Sequence, residues 1–151
     1  MPKNIHETDE IRNMIKDYLD HYTSDIESVH SSDWSQNPSV ADIWYNPGGW
    51  NIVIPAGDWW ISYYLNLYQT TSPASIVATL STANNSESAK KHSAFGYGGG
   101  GSPYLPMSKR FKLSLASETT YYLNVKSNFN GVLYVNSTTN GHGIITAEKI
   151  I

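Results

Sequence analysis

Side chains able to do covalent or metal chemistry are few in these 151 residues, and they are poorly spaced for it. The histidines are His6, His21, His30, His92 and His142. No two stand at the i,i+4 or His-x-His spacing that lets one element offer a metal two imidazoles. There is no cysteine, so no disulfide and no thiolate site can form. Glycoside hydrolysis needs two carboxyl groups at a set separation. Beyond residue 33 the acids are Asp42, Asp58, Glu87, Glu118 and Glu148, and no two share a motif. No nucleophile elbow surrounds a serine. Gly98-Gly-Gly-Gly-Ser102 is not followed by Lys-Ser/Thr or by a helical pattern, so it is a mobile tip or adhesive loop and not a phosphate cradle. The chain reads as a non-enzyme with no catalytic residue, cofactor or resident metal. A three-fold axis could still gather three copies of His142, but an exposed turn histidine is the plainer reading.

The informative residues are aromatic. All five tryptophans lie between Trp34 and Trp60, and there are eleven tyrosines. In the run 59–68, Trp59, Ile61, Tyr63, Leu65 and Leu67 alternate with Trp60, Ser62, Tyr64, Asn66 and Tyr68. A period of two puts the sets on opposite faces of a sheet. The odd set is a core face. The even set is aromatic with polar tips, where an antiparallel sheet normally shows water a plain polar face. Another sheet, another copy of the chain or a ligand is expected to cover it. Trp60, Tyr64 and Tyr68 are therefore the candidate subunit interface. Tyr97 and Tyr104 flank the glycine run and are the candidate ligand contacts, able to stack on sugar rings or simply to pin the loop.

The elements that must position these residues follow from pattern. Residues 7–30 predict a helix, with Thr8 or Asp9 as N-cap and acids in the first turn. Ile11, Ile15, Leu19, Tyr22, Ile26 and Val29 recur at spacings of four and three, a seam of about two heptads. The helix either docks on its own domain or forms a short trimeric stalk. Residues 34–49, rich in Asn, Pro and Gly, predict a linker or wrapping loop pinned by Trp34 and Trp44. From residue 50 on, strands are predicted at Asn51–Ile54, 59–68, Ser75–Ser81, Lys109–Leu115, Thr120–Lys126, Gly131–Asn136 and Gly143–Ile150. The polar and glycine-rich span 82–103 is predicted to be irregular. Strands at this spacing, with Ser, Asn and Gly turns between, predict an all-β antiparallel jelly-roll sandwich (residues 50–151) preceded by one N-terminal helical arm (1–33).

Composition narrows the partners. Charged residues are 15% of the chain against about a quarter in ordinary domains, which suits a protein that lives outside cells or packs on copies of itself. Residues 1–33 hold eight acidic against three basic side chains, and the rest holds five against seven. Neither part has the basic stripe that nucleic-acid binding needs. No run reaches the length of a membrane-spanning helix. The N-terminus lacks a signal-like apolar segment, so release by lysis or assembly is expected.

Ile54-Pro-Ala-Gly-Asp-Trp-Trp-Ile-Ser-Tyr63, the small-residue strands after it and the closing Gly143-Ile-Ile-Thr-Ala-Glu-Lys-Ile150 resemble the C-terminal heads of bacteriophage fibre and spike proteins. Those heads are similar to trimeric jelly rolls of the complement and tumour-necrosis-factor type. The resemblance spans roughly residues 50–151. It implies a homotrimer in a virion whose head attaches to a host surface glycan or protein; the charge distribution and run lengths above add the expectation of no nucleic acid and no membrane insertion. The alternatives are a head-fibre or decoration protein with no receptor role, and a cellular lectin-like domain. Met1-Pro-Lys has the look of a natural start and favours a small accessory protein. Docking to a virion protein is expected through Ile15, Leu19, Tyr22 and Ile26. A chain starting near Trp44 is expected to stay folded and trimeric, and Trp60→Asp to dissociate or unfold the trimer.

Overall fold

The computed structural model describes residues 5–22, 25–70, 74–98, 104–137 and 142–150; within the helix it describes the side chains of residues 9–17. The strand from Gly57 to Gln69 (β4) organises the rest. It follows β3 (Asn51–Ile54) through the Pro55–Gly57 turn, where Gly57 takes φ 130°. Along one edge β4 pairs with β7 (Leu105–Leu115) from Gly57 to Leu67. The other edge is shared. Its first half, Trp59 to Tyr64, pairs with β10 (Gly143–Lys149), and Asn66 to Gln69 pair with β9 (Gly131–Asn136). β1 (Ile26–His30) adds to β10, and β2 (Trp34–Ser39) adds to β9. These six antiparallel strands are sheet I. Sheet II runs β3, β8 (Thr119–Ser127), β5 (Ala74–Ser81) and β6 (Ser93–Gly98).

The core lies between the sheets. Sheet I contributes Trp59, Ile61, Leu65, Leu67, Leu133, Val135 and Ile145, and sheet II contributes Ile52, Ile54, Ile76, Leu80, Leu123 and Val125. Full burial of each such side chain stabilises the fold by roughly 1.5–3 kcal/mol before the entropy of ordering is counted. The buried Tyr63 hydroxyl lies 2.9 Å from the carbonyls of both Ala78 and His92, which share its one proton. Sheet II's outer face is closed by loops through an asparagine relay. Buried Asn124 donates through Nδ2 to the carbonyls of Ala83 and Ser86 and accepts from the Asn85 N–H. Asn85 Oδ1 in turn accepts from the Asn46 N–H at 2.7 Å.

Three predicted elements differ from those observed. The helix, α1, runs Ile5–Tyr22 and does not reach residue 30. Ile26 and Val29 belong to β1 and point to opposite sides: Ile26 packs against the core, and Val29 is half exposed. Their spacing of three mimics a heptad step, but both are β-branched and a partner edge on β10 is available, so the sheet wins. The expected linker over 34–49 contains β2, and the boundary at residue 50 is not a structural one, because β1 and β2 complete sheet I. The expected irregular span 82–103 contains β6, which pairs with β5 from Ala74 to Thr79. The predicted strands from 51 onward stand where the pattern put them, with ends shifted by a few residues at β7.

Candidate functional site

The outer face of sheet I carries the even set of β4. Cross-strand pairing builds three zones on it. At one end Trp60 lies between Glu148 of β10 and Lys112 of β7. Arg110 and Lys112 hold their cations 5.0 and 4.7 Å from the Trp60 ring, and Arg110 pairs with Glu148 at 2.7 Å. The expected cover over Trp60 is thus supplied in part by its own chain. In the middle, Val29, Ile144 and Tyr64 are successive partners across β1, β10 and β4. This band has no charge, and the Tyr64 hydroxyl donates to Asn66 Oδ1 at 3.1 Å. At the far end Tyr68 pairs with Tyr134, which pairs with Ser35. The Tyr68 ring lies 5.6 Å from that of Tyr104 and 5.8 Å from that of Tyr134.

Beside this tyrosine cluster is a cleft of about 190 Å³ lined by Asp33, Trp34, Ser35, Tyr104, Tyr134, Val135 and Asn136. β2 and β9 place it. Ser35 and Tyr134 are opposed residues, and Asn136 lies two residues along β9 from Tyr134, on the same face. Asp33 precedes β2 and is fixed by the Ser137 N–H, which donates to Oδ1 at 2.7 Å. Tyr104 enters from the start of β7. Among the described residues that line the cleft, Asp33 is the one with a charged side chain.

The structure separates the two tyrosines proposed to act together. Tyr104 is half buried in the cleft on sheet I, whereas Tyr97 stands 72% exposed on the outer face of β6 in sheet II, next to Phe95 at 70%. Gly98 ends β6, and residues 99–103 lie outside the described residues. Of the expected docking residues, Ile15 is exposed on α1 together with Ile11 and Met14. Leu19 and Tyr22 lie on α1, but their side chains are outside the described residues. Ile26 is corrected: it packs on the core from β1 and cannot serve a helix face. The sequence does not reveal Asp33, Ser35, Tyr134 and Asn136 as one group, because residues 34–49 look like linker and nothing local pairs them with the strand Gly131–Asn136. The alternation of Trp34 and Gln36 against Ser35 and Asn37 is the local signal of β2, and a bulge breaks it before Ser39.

Among the described residues two histidines are buried. His92 stacks on Phe111 with ring centroids 4.1 Å apart, and its Nδ1 is 3.3 Å from the Leu80 carbonyl. His30 packs on Trp50 and shares a 3.1 Å hydrogen bond with Ser137 Oγ. Burial pushes both imidazoles below the ordinary histidine range. His142 is exposed. Among the described residues no three His, Cys, Asp or Glu side chains converge as a metal site would require, and no helix is long and apolar enough to cross a membrane.

No protein-family model matches the chain, and no curated protein matches it. Solved structures do. Eiger TNF from S. frugiperda aligns over 85% of this chain and 94% of its own, with 9% identity and a TM-score of 0.54. Murine APRIL at pH 5.0 aligns over 83% and 98%, with 9% identity and a TM-score of 0.47. A chain of infectious bursal disease virus, Gx strain, aligns over 84% of this chain and 37% of its own, with 11% identity and a TM-score of 0.46. The strand pairing and the likeness to Eiger TNF agree on one statement: the chain folds as an antiparallel jelly-roll sandwich, here preceded by a helix.

Proposed function

We propose that the chain is the trimeric head of a bacteriophage fibre or spike, which attaches the virion to a host surface glycan or protein and acts by binding, without catalysis. The observation that supports this is the uncharged band Val29–Ile144–Tyr64 on the outer face of sheet I, continued by Tyr68. The core depleted of charge and enriched in tyrosine is what a protein interface needs. The choice of three copies, and of a virion, comes from the resemblance to phage heads, since two-fold dimers are commoner in general.

The arm supports a second contact. Ile11, Met14 and Ile15 leave 54, 71 and 53% of their surface exposed on α1, an apolar stripe that gains from being covered. A virion protein is the proposed cover, with Ile15, Leu19 and Tyr22 as contacts. The same stripe favours the second reading, a head-fibre or decoration protein whose docking is its whole role.

Light scattering tests the assembly: a mass three times the 16.8 kDa of one chain is expected, and a monomer would count against it. A pull-down on host envelopes, with and without periodate oxidation of their glycans, separates the readings. Capture that periodate abolishes supports glycan attachment. Particles that carry the protein but show no envelope binding support the decoration role.

A further inference from the structure

We infer that the basic margin of sheet I in one copy meets the acidic margin of sheet I in a neighbouring copy, with Lys112 of β7 set against Glu27 of β1; this rests on the assembly reading above and adds which edges meet. The outer face of sheet I is sided. β1 and β7 form opposite margins of it, with β10 and β4 between them. Beside the uncharged band, Glu27, Thr146, Ser62 and Arg110 stand next to one another across the four strands. That row begins with an acid and ends with a base. The β7 margin shows Ser108, Arg110, Lys112 and Ser114, all exposed, and no acid. The β1 margin shows Glu27 and Val29, preceded by exposed Asp25, and no base.

Within one chain the two margins are too far apart to satisfy each other. Three strand spacings separate them, roughly 14 Å, which exceeds the Debye length of about 8 Å at physiological salt. Arg110 is already engaged by Glu148 at 2.7 Å. Among the described residues neither Glu27 nor Lys112 has an ion-pair partner. Lys112 rests its cation on the Trp60 ring instead, 4.7 Å from the centroid. Two copies that met through like margins would set Arg110 and Lys112 against their own counterparts, a costly juxtaposition. Unlike margins pair the free cation with the free acid. They also leave the band Val29–Ile144–Tyr64 inside the contact with the charges at its rim, the layout of a protein interface. Exposed rim pairs add little affinity. Their effect is to fix register and to reject the wrong arrangement.

Charge reversal on the full chain, read by light scattering over a concentration series, tests this. Glu27 and Lys112 are both exposed, so Glu27→Lys and Lys112→Glu should keep the parent's circular dichroism spectrum. Each alone sets like charges together and should weaken the assembly roughly tenfold or more. The two combined should restore most of the parent's affinity. The distance between the margins excludes rescue within one chain, so rescue reports a second copy. Added salt gives a readout that needs no variant: it should weaken the parent's assembly. Single reversals that assemble as well as the parent overturn the proposal, as does a double reversal no better than either single one, or a parent indifferent to salt. The outcomes keep the two readings apart. A trimer unaffected by both reversals leaves the head reading standing and removes the margin contact. A dimer that shows the rescue keeps the contact and removes the trimer. A monomeric parent overturns both.

Discussion

Two residues show how closely side chains constrain this fold. Gly143 opens β10 directly under Trp50, and a Cβ there would sit 2.6 Å from the indole Cη2. Trp50 is 5% exposed, packs at a tilt on His30 and donates through Nε1 to the Ser28 carbonyl, so the indole has little room to retreat. Gly143→Ala is expected to cost about 1–3 kcal/mol, the usual range for overpacking, read as a lower urea midpoint. The buried histidines give the stability a pH dependence with a definite sign. In the unfolded chain each titrates at 6.5, and in the fold burial holds each below that. Above pH 6.5 both states are neutral and nothing is lost. As pH falls below 6.5 the unfolded chain takes up protons first, so stability declines until the folded-state value is passed. The urea midpoint should therefore drop between pH 7.5 and 5.5. His92→Phe, which keeps an aromatic ring against Phe111, should flatten that slope. At the alkaline end burial raises Tyr63 and Tyr121 above 10, so stability should fall again once the unfolded tyrosines ionise.

At the level of elements, β1 and β2 matter more than their length suggests. β1 covers the edge of β10 and carries His30 onto Trp50, while β2 covers the edge of β9 and forms one wall of the cleft. A chain starting near Trp44, expected from sequence to hold its fold, would lose both strands. It would expose two strand edges, which are templates for aggregation. A chain starting at Asp25 keeps both strands and loses only α1. The expected outcome is a folded, soluble protein from Asp25 and an aggregated or unfolded one from Trp44, checked by gel filtration and near-ultraviolet circular dichroism. If the shorter chain folds as well as the longer, the two strands are dispensable.

For the whole molecule the question is what meets the outer face of sheet I. The sequence pointed to Trp60→Asp as the disruptive change. The structure moves that test, because a carboxylate at position 60 would lie beside Arg110 and Lys112 and find its charge paired. Tyr64 sits in the uncharged middle band, flanked by Ile144. Tyr64→Asp should leave each chain folded, since the side chain is half exposed and outside the core. In an assembly through this face it would bury an unpaired charge. Light scattering should show the variant falling to the mass of one chain with an unchanged circular dichroism spectrum. A variant that keeps the parent's mass would place the interface elsewhere.

Local pattern alone was enough for a large part of this protein. Alternation along 59–68 marked β4 and its buried face, and turn residues at regular intervals marked β3, β5, β8, β9 and β10. A period of two is a property of the chain itself and needs no partner to be seen. What needed tertiary structure is whatever depends on a partner distant in sequence. Ile26 and Val29 fit a helix seam until β10, over a hundred residues away, offers an edge. Trp34–Ser39 looks like linker until β9 pairs with it. The cleft follows the same rule. Asp33, Ser35, Tyr104, Tyr134 and Asn136 come from three separate stretches, and only the closing of sheet I around β4 brings them to one place. Tyr97 and Tyr104, seven residues apart in the chain, end on opposite sheets, because β6 and β7 lie in different layers of the sandwich.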